Sequence, residues 1–187
     1  MYFHASQTPD IAVLEPRISN HGTPLVYFSK KRENVLVYLS NAVEKYCKET
    51  GFSHTGPWTK WGPYGFTKDG LLQFDEYYPN ALAETYQGVS GFIYTVGEIA
   101  DPGEPIEIPD AITSRSPVPV LRCEFVPDAL AALLQAEQDG LLVIRRYQER
   151  TEAQRKWEDE MIEKEYRDPA STPEYRYFLK SKFHLSD

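Results

Sequence analysis

Hydrophobic and polar positions divide the chain into short runs of different period. Tyr2-Phe3-His4 reads as a short strand starting almost at the first residue, and Ile11 to Pro16 as a brief extended connector. Pro24 leads into Leu25-Val26-Tyr27-Phe28, a β-rich run, and Ser29 stands where a helix cap would. From Lys30 to Lys48 the apolar residues fall at Val35, Tyr38, Leu39, Ala42, Val43 and Tyr46. That spacing predicts one amphipathic helix, stopped by Gly51.

The next stretch, 51–70, holds five Gly, two Pro and two Trp and reads as a long loop or a set of very short strands. Trp58 and Trp61 lie in it. Leu71 to Tyr78 returns to β-like composition, and Ala81 to Gln87 is a short helical turn. Gly91 to Val96 is the clearest strand of the middle region. After the turn-rich 101–109, two further strands are expected at Ala111–Ser114 and Val118–Val126. Asp128 caps a helix from Ala129 to about Gln138, ended by Gly140. Leu141 to Arg167 reads as one long helix carrying Glu-to-Lys and Glu-to-Arg pairs at i, i+4. Its apolar stripe is thin, which fits a helix lying on a surface or meeting a partner, a second copy of the chain included. The order of elements, β-rich first and helical last, is α+β.

Composition narrows the function more than the fold. The chain has 187 residues and a net charge of -8, so a global basic footprint for nucleic acid is missing. Aromatics reach 13%, with 13 Tyr, which suits a dense core or a pocket that stacks flat ligands. Cys47 and Cys123 form no CxxC pair and read as two buried free thiols. No apolar run approaches a membrane span and the first residues do not resemble a secretory leader, so the expected location is cytoplasmic, away from membranes.

Several familiar chemistries find no motif here. G-x-S-x-G, the Walker-type phosphate loop and a strand-linked G-x-G-x-x-G are all missing from the sequence. Asp75, Glu76 and Glu84 supply enough carboxylate for a hydrolase, but Asp75 and Glu76 are adjacent and would leave a strand on opposite sides, so a solvated acidic edge is expected. His21, His54 and His184 lie in a turn, a loop and the tail. His4 differs: it is embedded in a strand beside the small residues Ala5 and Ser6, which let a ligand approach the backbone. Taken alone it reads as a core histidine.

His4-Ala5-Ser6 is followed about twenty residues on by Tyr27-Phe28-Ser29, running straight into the expected helix. This combination resembles the ADP-ribosyltransferase superfamily, in the branch related to poly-ADP-ribose polymerases and diphtheria toxin, over residues 1–127. The resemblance implies an α+β fold with a β-rich core of two small packed sheets and an early helix. Residues 128–187 would be a helical C-terminal extension on the same domain. It also implies NAD as substrate, with an unknown protein or small molecule as target. His4, Ala5, Ser6, Tyr27 and Ser29 would line the NAD site: His4 on a ribose hydroxyl, backbone at Ala5 on the carboxamide, and Tyr27 stacked on the nicotinamide. The acid opposite would be Asp110, with Glu107 and Glu76 as rivals, and the Trp58/Trp61 loop would be a lid or target-binding element or, equally, a plug in the side of a small core. Two positions depart from the pattern: Ala5 stands for Gly, and Asp110 is a methylene shorter than Glu. The readings carried forward are an NAD-binding ADP-ribosyltransferase-like protein, a catalytically silent relative with a binding or regulatory role, and a carboxylate-dependent hydrolase.

Overall fold

A computed structural model of the protein describes residues 1–18, 22–62 and 64–186; His21 lies outside them. The strands and α-helices are β1 (Tyr2–Ser6), β2 (Val13–Leu14), β3 (Arg17–Ile18), β4 (Pro24–Ser29), α1 (Ala42–Glu49), β5 (Tyr64–Phe66), β6 (Leu72–Asp75), α2 (Ala81–Tyr86), β7 (Gly91–Val96), β8 (Ala111–Ser114), β9 (Val118–Val126), α3 (Ala129–Gln138), β10 (Leu142–Arg145), α4 (Glu152–Arg167) and α5 (Pro173–Phe183). The fold is mixed α+β, with a curled antiparallel sheet and a smaller second one of order β10-β6-β5. Two compact units alternate along the chain. One is Met1–Ser40 with Gly65–Gln73 and Tyr86–Val143, the other Asn41–Tyr64 with Phe74–Thr85 and Ile144–Asp187.

The first unit is built on the larger sheet, in the order β2-β9-β7-β1-β4-β3, with β8 also paired to β4. One face buries Val26, Phe28, Tyr94, Val96 and Val118. Tyr94 is fully enclosed, and its hydroxyl donates to Thr8 O at 2.6 Å, so its one polar atom is satisfied. Gly91 is required by packing: a Cβ there would stand 2.6 Å from Leu39 Cδ2 and 3.1 Å from the Ser6 carbonyl.

The expected helix over 30–48 is two pieces. Glu33–Leu39 is a 3-10 segment that buries Asn34, Val35, Leu36, Val37 and Leu39, and Ser40 is extended before α1 begins. The break is fixed by side chains. Asn41 caps α1, its Oδ1 accepting from Val43 N at 3.2 Å, while Gln7 Nε2 and Tyr86 Oη donate to the carbonyls of Leu39 and Val37. Those carbonyls would otherwise be orphaned at a helix end.

In the second unit α1 and α5 enclose Val43, Cys47, Phe178 and Leu179, and Trp61 joins the same cluster. Of the two uses left open for the tryptophans, Trp61 takes the core one. The expected long helix over 141–167 is also corrected. Leu142–Arg145 is strand β10, Tyr147–Glu149 a 3-10 turn, and the helix proper is α4. Val143 and Ile144 favour the extended state, and Thr151 restarts the helix with a capping box to Gln154. A third correction concerns Cys123, which is exposed, whereas Cys47 is buried and burial pushes its thiol up to about 11. No helix among the described residues is long and apolar enough to cross a membrane.

Candidate functional site

β1 and β4 share the pair Phe3↔Ser29, and among the described residues their ladder goes no further. Where the strands part, the His4 side chain bridges them: its Nδ1 lies 2.9 Å from the Tyr27 carbonyl oxygen. A carbonyl only accepts, so Nδ1 carries the proton. Burial lowers the imidazole pKa below its usual 6.5, the Tyr27 bond raises it, and the charge of Arg17 lowers it. The ring is therefore neutral at neutral pH, with Nε2 as a hydrogen-bond acceptor. The ring also meets Phe28 edge-on, centroids 6.0 Å apart.

The five positions expected to line a ligand share this fork, with different surroundings. Strand alternation sets the Tyr27 and Phe28 side chains on opposite faces of β4, and His4 meets Tyr27 at its carbonyl oxygen. Ala5 pairs with Ile93 and is 7% exposed. Ser6 Oγ accepts from Thr8 N, and the buried Ser29 Oγ accepts from Lys31 N, both at 3.1 Å.

Asp110 enters through β4 as well. Ser29 pairs with both Phe3 and Ala111, so these three form one row across β1, β4 and β8. His4 stands one step beyond that row and Asp110 one step before it. Standard strand spacing puts them about 10 Å apart across the strands and about 7 Å along them. Asp110 has a left-handed backbone (φ 60°), its carbonyl accepts from Lys30 N at 2.8 Å, and its carboxylate is 3.1 Å from Lys31 Nζ. Glu107 is exposed in the preceding connector.

Glu76 belongs to the second unit and has another task. It is 7% exposed; Oε1 accepts from Leu82 N in the first turn of α2 at 3.0 Å, and Oε2 from Tyr147 N at 3.3 Å. Asp75 is likewise mostly enclosed, paired to Arg145 and Arg150, and Glu84 pairs with Lys182. The expected solvated acidic edge is thus corrected: Asp75 and Glu76 sit among arginines and backbone amides.

Two charged groupings escaped the sequence reading. Arg32 grips Glu124 with both arms, its Nε 3.0 Å from Oε2 and its Nη2 on Oε1. The hydrogen bond raises the arginine pKa and lowers that of the carboxylate. Glu124 pairs with Ile93, which pairs with Ala5, so this ion pair marks the Ala5 row at β9. In the second unit Arg150 pairs with Glu158, and both are buried. Partners 92 residues apart, as Arg32 and Glu124 are, leave no local signal. No group of three or more His, Cys, Asp and Glu among the described residues is placed to hold a metal ion. No family model, curated protein or solved structure matches this chain.

Proposed function

We propose that the β1–β4 fork receives the nicotinamide riboside end of NAD, and that the chain is an ADP-ribosyltransferase-like protein acting on NAD as substrate. The observation that carries this reading is the state of His4. The Tyr27 carbonyl fixes its tautomer, burial keeps it neutral, and the ring sits where two neighbouring strands separate. An acceptor nitrogen presented there suits a ribose hydroxyl, which must donate. The sequence around it, His4-Ala5-Ser6 with Tyr27-Phe28-Ser29, is the pattern behind the resemblance. Asp110 would accept a hydrogen bond from a ribose hydroxyl and stabilise positive charge growing at the anomeric carbon as nicotinamide leaves. The acceptor of the ADP-ribose would be a protein or small molecule.

A second reading is favoured by two observations: Lys31 engages the Asp110 carboxylate, and Ala5 is nearly enclosed. In that reading the fold binds a nicotinamide-type ligand for a regulatory purpose and transfers nothing.

Thermal unfolding with millimolar NAD or nicotinamide separates these readings. Ligand at ten times its Kd stabilises by about 1.4 kcal/mol, a Tm rise of about 3–6 °C for a chain this size. His4→Ala should abolish the rise. Nicotinamide release from NAD, lost in Asp110→Asn, supports transfer; a Tm rise without release supports the silent reading. No rise with either ligand overturns both.

A further inference from the structure

The outer edge of β9 is guarded along its first half and open along its second. β2 pairs with it at Val118 and Pro119, Pro119 has no N–H to offer, and Val120 N donates to Ala12 O at 2.9 Å. A register shift opposite Thr95 and Val96 makes Leu121 the extra residue of a bulge. Beyond it, no strand among the described residues covers Arg122 to Val126 on the side away from β7. Exposed apolar side chains flank and occupy this run: Leu121 is 68% and Phe125 58% exposed, with Cys123 exposed between them. An uncovered strand with such side chains is a template for another strand.

We propose that the occupant is a second copy of this chain, paired antiparallel along the same segment about a twofold axis at Cys123. Symmetry limits the registers. Antiparallel pairs alternate between hydrogen-bonded and non-hydrogen-bonded types. A twofold axis maps the pair i↔j onto j↔i, so an odd sum i+j would make adjacent pairs equivalent although they must differ. Only even sums survive, each setting one residue opposite its own copy. Centring on Arg122 puts two guanidinium groups face to face, and centring on Glu124 puts the two Arg32-bound carboxylates face to face and leaves Arg122 opposite Val126. Centring on Cys123 sets Arg122 against Glu124 twice, adding a second cation beside the carboxylate that Arg32 of its own chain already holds, with Leu121 and Phe125 meeting outside them. The open segment is thus complementary to itself in one register. The bulge, Pro119 and β2 stop the ladder at its end, so the contact closes as a pair and does not propagate.

Sedimentation equilibrium on the full chain tests this. The expected result is a reversible dimer weakened about tenfold by Arg122→Glu, which turns two attractive cross-strand pairs into repulsive ones. Arg122 is exposed, so this variant should fold, and circular dichroism checks it. A second measurement reads the register directly. An added copper(II) phenanthroline oxidant should take two electrons from the two apposed Cys123 thiols, which release two protons and form one S–S bond. The covalent dimer should be lost in Cys123→Ser. A chain that stays monomeric overturns the proposal. So does a dimer indifferent to Arg122→Glu, such as one built through the C-terminal helices, and so does a dimer that gives no Cys123 cross-link.

Discussion

Glu76 stands between two assignments, a catalytic acid or a structural clasp, and its replacement tells them apart. Its carboxylate accepts two backbone N–H groups, from Leu82 at 3.0 Å and Tyr147 at 3.3 Å, while it is almost entirely buried. A hydrogen bond to a charged acceptor contributes about 1.5–3 kcal/mol, and a buried donor left unpaired costs about 1–3 kcal/mol. The Tyr147 contact is the longer and earns the lower figure. Glu76→Ala orphans both amides and should cost about 3–5 kcal/mol. Glu76→Gln keeps one carbonyl oxygen but turns an NH2 toward the other amide, so it should cost about 1–3 kcal/mol. Urea unfolding followed by circular dichroism reads both as a lower midpoint at unchanged slope. If Glu76→Ala unfolds within about 0.5 kcal/mol of the parent, the clasp argument is wrong. Unchanged stability together with lost NAD turnover would return Glu76 to the list of candidate acids.

Other substitutions probe the fork and its support. Gly91→Ala should cost about 1–3 kcal/mol through overpacking against Leu39 Cδ2 and the Ser6 carbonyl, and adding Leu39→Ala should give a sum smaller than the two separate losses; full additivity in urea unfolding would disprove the contact. Burial depresses the His4 pKa, so the unfolded chain binds a proton that the folded chain refuses. Stability is then fully present above pH 6.5, the unfolded value, and falls as pH drops below it, by at most about 1.4 kcal/mol per pH unit. His4→Gln should flatten that part of the stability–pH curve, and an identical curve would show that His4 is not the group responsible.

What was legible in the sequence was local. The strand at Gly91–Val96 and the long strand at Val118–Val126 announce themselves by composition, and Asp128 caps α3 as its position suggests, Oδ1 accepting from Ala131 N at 2.8 Å. The failures came where a distant partner decides. Apolar spacing runs unbroken through Ser40–Asn41, but Gln7 and Tyr86 capture the carbonyls that would have continued the helix. Around 141–145 the sequence fits helix and strand alike, and the ladder with β6, some seventy residues earlier, settles it. Glu76 and Asp75 read as surface acids because the amides and arginines that enclose them come from α2 and from 145–150. The fork was half legible. The residues His4 and Tyr27 stand out in the sequence, whereas the Tyr27 carbonyl as the anchor of His4 and Lys31 as the partner of Asp110 appear only in three dimensions.

Under the proposed function, whether the fork would bind only or also react turns on how firmly Asp110 is held. Its backbone is fixed by the Ser29↔Ala111 pair and by the Lys30 N–H on its own carbonyl, so the residue cannot wander. Its carboxylate is a different matter. The side chains of Lys31 and Asp110 are 34% and 30% exposed, and a pair so wetted contributes about 0–1 kcal/mol. Under the proposed function, a ribose hydroxyl of NAD would have little to displace. Lys31 adds a positive charge next to the acid. The same charge opposes the developing cation once Lys31 remains in place. Removing it therefore has opposite consequences under the two readings. If the fork is catalytic, Lys31→Met frees the acid and nicotinamide release rises or holds. If the pair is a structural latch in a silent protein, the variant loses a fraction of a kcal/mol and releases nothing.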